Sequence, residues 1–167
     1  MEMSDKWYVC YCEPSKAMDL VRALAAEGKD VSCPWFHFRR RVPRQNRVEI
    51  LKKPLIGGVF FCRTDSWPLG EGSVAGVDLP SVSRMLSFGK VGEVSGEELD
   101  EFCLAGAQDG NTRTKFLKGD SVTALSGPFK GFKGEVISES GGYVNVFLEG
   151  FPMSFKISPF LIGKTQA

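Results

Sequence analysis

Apolar and polar positions alternate along this chain in a way that lays out its elements. Lys6-Trp-Tyr-Val-Cys-Tyr-Cys12 is aromatic and β-branched and predicts a first strand. Pro14-Ser15 then opens a helix with Ser15 as its cap. Ala17, Leu20, Val21, Leu24 and Ala25 recur at helical spacing, and Gly28 ends the run. Val31–Phe38 predicts the next strand, so the chain opens β-α-β. Arg44-Gln45-Asn46-Arg47 has turn chemistry and makes a hairpin with a basic tip, after which Lys53–Cys62 runs into another strongly apolar strand. Ser95-Gly-Glu-Glu98 has capping-box spacing and opens a helix carrying Leu99, Phe102 and Cys103. The polar stretch Gln108–Thr114 reads as a flexible linker.

Beyond the linker the period is that of short strands: Ser121–Leu125, Glu135–Ser138, Tyr143–Leu148 and Met153–Ile157. Gly127, Pro128, Gly131 and Gly134 suit a bent turn between the first two, with positive φ or a bulge at Gly131 and Gly134. Gly141-Gly142 and Gly150–Pro152 make the later turns. Four or five short strands in about fifty residues are too few for a sandwich, and closure into a small barrel is the economical arrangement.

Composition narrows the function. At 167 residues the chain holds one ordinary domain or two small ones, and a net charge of +1 with 43% hydrophobic residues describes a globular protein. No apolar run reaches membrane-span length, and Met1-Glu-Met-Ser-Asp-Lys6 lacks a secretory apolar region, so the expectation is a cytoplasmic chain without a membrane partner. The five cysteines include no CxxC pair and stand among apolar neighbours. They are expected to be buried reduced thiols, with no metal and no cofactor.

Charge is concentrated in one place. Between His37 and Lys53 lie Arg39, Arg40, Arg41, Arg44, Arg47 and Lys52 against the single acid Glu49. Such a run is a solvated hairpin or a phosphate-binding one, and the guanidinium bias favours phosphate. Residues 118–167 carry five Lys and no Arg against four acidic residues, which points this part towards a protein partner. Phe129, at a turn tip between Pro128 and Lys130, either closes one end of the barrel or stands exposed as an anchor for that partner. No enzyme emerges. His37, the only histidine, has no carboxylate or serine arranged around it, and Gly70-Glu-Gly72 lacks Walker or dinucleotide spacing. Trp7, Trp35 and Trp67 read as core or rim aromatics.

The string from Gly119 to Val136 resembles the KOW motif, GD.V....GPF.G..G.V, at each of its fixed positions. Trp7-Tyr8-Val9 and Pro54-Leu-Ile-Gly-Gly-Val-Phe-Phe61 resemble the two diagnostic strands of the NusG amino-terminal domain, and Ser81–Gly89 is similar to a further segment of it. Two modules in the family's order imply a NusG family transcription elongation or antitermination factor. The shared WY..YC opening and the Pro54-Leu55 pair suggest a specialised RfaH-like paralogue. The chain departs from the family at Gly57-Gly58-Val59, where the usual aromatic is missing, and at the glycine-rich residues 66–80.

The resemblance implies an α+β fold: a NusG-type amino-terminal α/β sandwich over 1–106, an antiparallel sheet flanked by helices. A flexible linker over 107–117 would join it to a small KOW β-barrel over 118–167. It implies binding to the clamp helices of RNA polymerase through Tyr8, Leu55, Ile56, Val59, Met85 and Phe88. Arg39, Arg40, Arg41, Arg44 and Arg47 would meet DNA near the transcription bubble. Phe129, Phe132 and Phe151 would meet a partner of the barrel, such as Rho or a ribosomal protein. The protein would be a monomer that modulates pausing, termination or antitermination. An RNA-binding or ribosome-associated KOW protein is the alternative. The glycines and prolines of residues 118–162 argue for a permanent barrel over a helical hairpin, free of the amino-terminal face.

Overall fold

The computed structural model describes residues 5–87, 90–107 and 115–165. The expected linker, Gln108–Thr114, and Phe88 lie outside the described residues. The first half runs β1 (Lys6–Tyr11), α1 (Ala17–Ala26), β2 (Val31–Ser32), β3 (Trp35–Val42), β4 (Arg47–Pro54) and β5 (Val59–Arg63). Short pairs follow: β6 (Ser73–Val74) with β7 (Val77–Asp78), then β8 (Ser83–Arg84), β9 (Leu86–Ser87) with β10 (Lys90–Val91), and β11 (Glu93–Ser95). The helix α2 (Gly96–Ala107) leads to β12 (Ser121–Ala124), β13 (Lys133–Ser140), β14 (Tyr143–Leu148), β15 (Ser154–Ile157) and β16 (Ile162–Lys164).

The first sheet has the order β11-β1-β5-β2, with β8 also pairing to β1. Both β1 and β2 run antiparallel to β5, so the β-α-β opening is a split one, with β5 inserted between its parallel strands. Period-two alternation sorts the side chains. Tyr8, Cys10, Cys12, Phe60 and Cys62 face α1, whose Ala17, Leu20 and Leu24 are buried against them. Val9, Val59 and Phe61 face the other way, where α2 packs Leu99 and Phe102, with Phe61 and Phe102 edge-to-face at 5.8 Å. Helices thus flank both faces.

The expected caps are met unequally. Ser95 and Glu98 form the capping box: the Glu98 amide donates to Ser95 Oγ at 3.1 Å, and the Ser95 amide to Glu98 Oε1 at 3.5 Å. Ser15 does not cap α1. It lies within a 3-10 turn, Pro14–Lys16, and its hydroxyl donates to Glu13 Oε1, because Pro14 starts the turn one residue too early. The expected strand Val31–Phe38 is broken at Cys33-Pro34 into β2 and β3, as a proline in a strand would cause. Burial holds for four of the five free cysteines, whereas Cys103 is exposed on α2.

The second sheet has the order β15-β14-β13-β12-β16, all antiparallel. A flat sheet of this kind would be about 19 Å wide, from four spacings of about 4.8 Å. Yet residues 158–161, three of them in a 3-10 turn, carry the chain from one edge strand to the other. Five chain steps reach at most about 17 Å when extended. The sheet therefore curls, although among the described residues no ladder joins β15 to β16. Gly134 does not take a positive φ; an added Cβ there would lie 2.7 Å from the Phe147 carbonyl oxygen, so glycine answers a close approach across the ladder. The bulge falls instead between Val136 and Ser138.

The two sheets share one apolar core. Residues 55–57 add themselves to the open edge of β15: Ile56 bridges Ile157, the Gly57 amide donates to Lys156 O at 2.7 Å, and the Ser158 amide to Leu55 O at 2.8 Å. Tyr143 donates its hydroxyl to Pro54 O at 2.6 Å, and the Phe36 ring meets Tyr143 and Phe160 edge-to-face at 5.6 and 5.7 Å. Strands over residues 121–164 agree with the expectation against a helical hairpin. The expectation of a carboxy-terminal unit standing free of the amino-terminal face is corrected. The apolar row Leu55, Ile56 and Val59 and the unpaired edge of β15 cover one another. No helix among the described residues is long and apolar enough to cross a membrane.

Candidate functional site

Three features carried the functional expectations: the basic hairpin, the apolar segment before β5, and the aromatic residues Phe129, Phe132 and Phe151 of the second sheet. The hairpin β3–β4 is a two-stranded sheet of its own, with residues 43–46 as the turn and Asn46 at φ 45°. Residues opposite one another across an antiparallel pair share a face, so the register divides the cations. His37 pairs with Lys52, Arg39 with Ile50 and Arg41 with Val48 on one side. Phe36 pairs with Lys53, Phe38 with Leu51, Arg40 with Glu49 and Val42 with Arg47 on the other.

The second side is committed to the protein itself. Phe36 is buried, Phe38 packs on the shared core, and the Lys53 ammonium donates to the Gly141 carbonyl and lies over the Phe38 ring. Gly142, at φ 86° in the Gly141-Gly142 turn, is where the second sheet meets this side; an added Cβ would come within 2.6 Å of the Phe38 ring. Further out, Glu49 accepts from Arg40 at 2.5 Å and from Arg47 at 3.4 Å. The Arg40 hydrogen bond, helped by the charges of Arg40 and Arg47, holds the Glu49 carboxyl below its ordinary range.

The first side faces solvent along its length. Trp35 is 38% exposed and Val48 and Ile50 are each 59% exposed, while His37, Arg39, Arg41 and Lys52 are also exposed. The Lys52 ammonium lies 4.4 Å from the Trp35 ring centroid, and His37 meets the same ring edge-on at 4.8 Å. Arg41 makes one long contact, 3.5 Å, with Asn46 Oδ1. Arg44 is exposed in the turn. The five arginines expected to act together are therefore split, with Arg40 and Arg47 tied to Glu49.

The residues assigned to the polymerase face are also split. Leu55, Ile56 and Val59 are at most 2% exposed and lie in the shared core, with Met85 packed against it. Tyr8 is on the opposite face of β1, edge-on to Trp67 with the Arg84 guanidinium over both rings. It cannot join the same surface, because neighbouring residues of a strand point to opposite sides. The aromatic cluster of the second sheet is closed as well. Phe129 is 3% exposed, with its ring 4.9 Å from Phe155 and 5.2 Å from Phe151. The turn bonds from Lys130 to Gly127 and from Phe132 to Phe129 fold the loop inward. The exposed-anchor expectation for Phe129 is corrected to the core-closing one. Phe151 is buried beside it, and the partly buried Phe132 borders a groove of about 540 Å³ with Lys130, Lys133 and Glu149.

Four of the five cysteines are buried, which disfavours their thiolates. Burial pushes Cys12 and Cys62 up to about 11 and Cys33 up to about 12, and Cys10 further still. Among the described residues no group of three or more His, Cys, Asp or Glu could hold a metal.

No protein-family model matches the chain, and no curated protein does. Similar solved structures include one described as domain interaction in Thermotoga maritima NusG, at 16% identity over 96% of this chain and 97% of that one, with a TM-score of 0.37. The MjSpt4:Spt5 complex is similar in conformation A at 18% identity over 95% of this chain and 97% of that one (TM-score 0.30). In conformation B it is similar at 16% identity over 96% and 97%, with a TM-score of 0.32. This chain thus shares near full-length but loose structural likeness with NusG and Spt4:Spt5 chains, too loose to bear on function or partner.

Proposed function

We propose that this protein is a transcription elongation factor that binds RNA polymerase and shifts the balance between pausing, termination and antitermination. The observation that carries the reading is the basic hairpin standing off the first sheet, with one cationic face wholly exposed. The motif string Gly119–Val136 on the same chain supports it. In this reading Arg39, Arg41 and Arg44 take nucleic-acid phosphate near the bubble, while Arg40 and Arg47 hold Glu49. The polymerase clamp takes the apolar row Leu55, Ile56 and Val59 with Met85.

That row is covered by β15, so docking requires the two sheets to separate. Apparent affinity for polymerase is then the intrinsic affinity reduced by the open fraction. The factor acts by binding the elongating state more tightly than the paused one, where about 1.4 kcal/mol of difference is a tenfold shift in population. Transcription in vitro by the cognate polymerase through a terminator, with and without Rho, tests the reading. A change in pausing or read-through supports it. Unaltered transcription, together with co-sedimentation with ribosomes, would put a ribosome-associated protein in its place.

A further inference from the structure

The outward face of the hairpin mixes charge with exposed apolar surface. Across the ladder Arg39 stands beside Ile50 and Arg41 beside Val48, with Lys52 next along and Trp35 at the base. Val48 and Ile50 are 59% exposed. Among the described residues of the hairpin no acid shares this face, because Glu49 belongs to the other side. A partner for it must supply carboxylates around an apolar centre.

The same chain carries such a surface. On α2, Glu97, Asp100, Glu101 and Leu104 stand at i, i+3, i+4 and i+7 and form one stripe. All four are exposed, and Leu104, at 67%, is more exposed than Val48 or Ile50. The opposite side of α2 is buried through Leu99 and Phe102. Among the described residues none of the three carboxylates forms an ion pair. Acids in the first turn favour a helix, but Asp100 and Glu101 lie beyond it and repel Glu97 across one turn. The stripe needs cations, and its own helix has none.

We propose that two copies of this chain pair through these surfaces, in place of the expected monomer, the α2 stripe of each lying on the outward hairpin face of the other. Within one chain α2 packs beside β3, so stripe and face are neighbours. A twofold axis between neighbouring complementary patches makes both contacts at once and closes the assembly, whereas a single head-to-tail contact would run on as a fibre. The lengths agree: Glu97 to Leu104 spans about 10.5 Å of helix and Arg41 to His37 about 13 Å of strand. Leu104 then meets Val48 and Ile50, while Asp100 and Glu101 meet Arg39 and Arg41. Exposed ion pairs are individually weak and screened by salt, so the dimer is reversible and strongest at low ionic strength. Under the transcription reading the second copy takes the cations assigned to phosphate, so the dimer and nucleic acid exclude one another at Arg39 and Arg41.

The test is sedimentation equilibrium of the nuclease-treated full chain across a salt series. A dimer is expected at low salt, weakening about tenfold from about 0.05 to about 0.5 M. Leu104→Ser should weaken self-association about tenfold. Arg39→Glu with Arg41→Glu makes both surfaces net acidic, and Asp100→Lys with Glu101→Lys makes both net basic. Each of these reversed chains should sediment alone as a monomer. Mixed in equal amounts they should form a heterodimer, because every acidic surface again faces a basic one. The changed positions are all exposed, so the variants should keep the parent's thermal melt. A monomer at every salt concentration overturns the proposal and leaves the face to an acidic partner from outside the chain. So does self-association that survives either reversal, or a mixture of the reversed chains that stays monomeric.

Discussion

Phe36 is the residue on which the joining of the two sheets is best examined. Its ring is 3% exposed, and its aromatic partners, Tyr143 and Phe160, both belong to the second sheet and its closing turn. Phe36→Ala removes a buried ring and leaves a cavity that neither partner can fill without moving, a change of about 3–5 kcal/mol. Because the lost contacts run from the hairpin β3–β4 to the second sheet, most of that cost falls on the association of the two halves of the chain. At about 1.4 kcal/mol per decade, the ratio of closed to open chain should fall by roughly two to three and a half orders of magnitude. The amides of Gly57 and Ser158 report the event directly, since each donates to a carbonyl across the contact, at 2.7 and 2.8 Å. Their hydrogen-exchange protection should drop by about a hundredfold or more. Amides laddered between β1 and β5, and between β13 and β14, should keep theirs. Unchanged exchange at Gly57 and Ser158 would refute the reasoning. A uniform drop across both sheets would refute it equally, by showing that the halves do not come apart below global unfolding.

Three further outcomes are expected. Ile56→Asp should lower the melting temperature sharply rather than leave a folded chain, because Ile56 is 2% exposed and a carboxylate there has no partner, at a cost of several kcal/mol; an unshifted thermal melt would contradict the buried placement. The Glu49 carboxyl should titrate below the ordinary carboxylate range by NMR and move up in Arg40→Ala. Since its folded pKa is the lower one, its stabilisation is present at neutral pH and is lost as pH falls through the carboxylate range. A thiol reagent should modify only Cys103 rapidly in the native chain, with Cys10, Cys12, Cys33 and Cys62 reacting on unfolding; fast reaction of any buried thiol counts against the core assignment.

Local rules made most of the elements legible. The capping box Ser95–Glu98, the turn at Arg44–Arg47, and the Gly141-Gly142 hairpin each depend on neighbours a few residues apart, so spacing alone is enough to place them. The inward and outward rows of β1 and β5 follow from period two in the same way. That period also contained the split of the arginines, since Arg39 and Arg41 alternate with Arg40; reading the run only as charge concealed it. Trp35 was open to the same reading.

Other features belong to the tertiary structure alone. An apolar row such as Leu55, Ile56 and Val59 looks the same in sequence whether it meets another protein or the chain's own second sheet. The choice depends on the open edge of β15, about a hundred residues away, being free to pair with it. Phe129 had the same ambiguity at its turn, and only the rings of Phe151 and Phe155 waiting inside the sheet settled it as core. Tyr8 and Ile56 were grouped by the family resemblance, yet Tyr8 packs on the α1 side of the first sheet and Ile56 in the core shared with the second. Spacing along a chain encodes which residues share a face. Which faces then meet is decided by burial between segments distant in sequence, where each apolar surface takes whatever partner removes most of it from water.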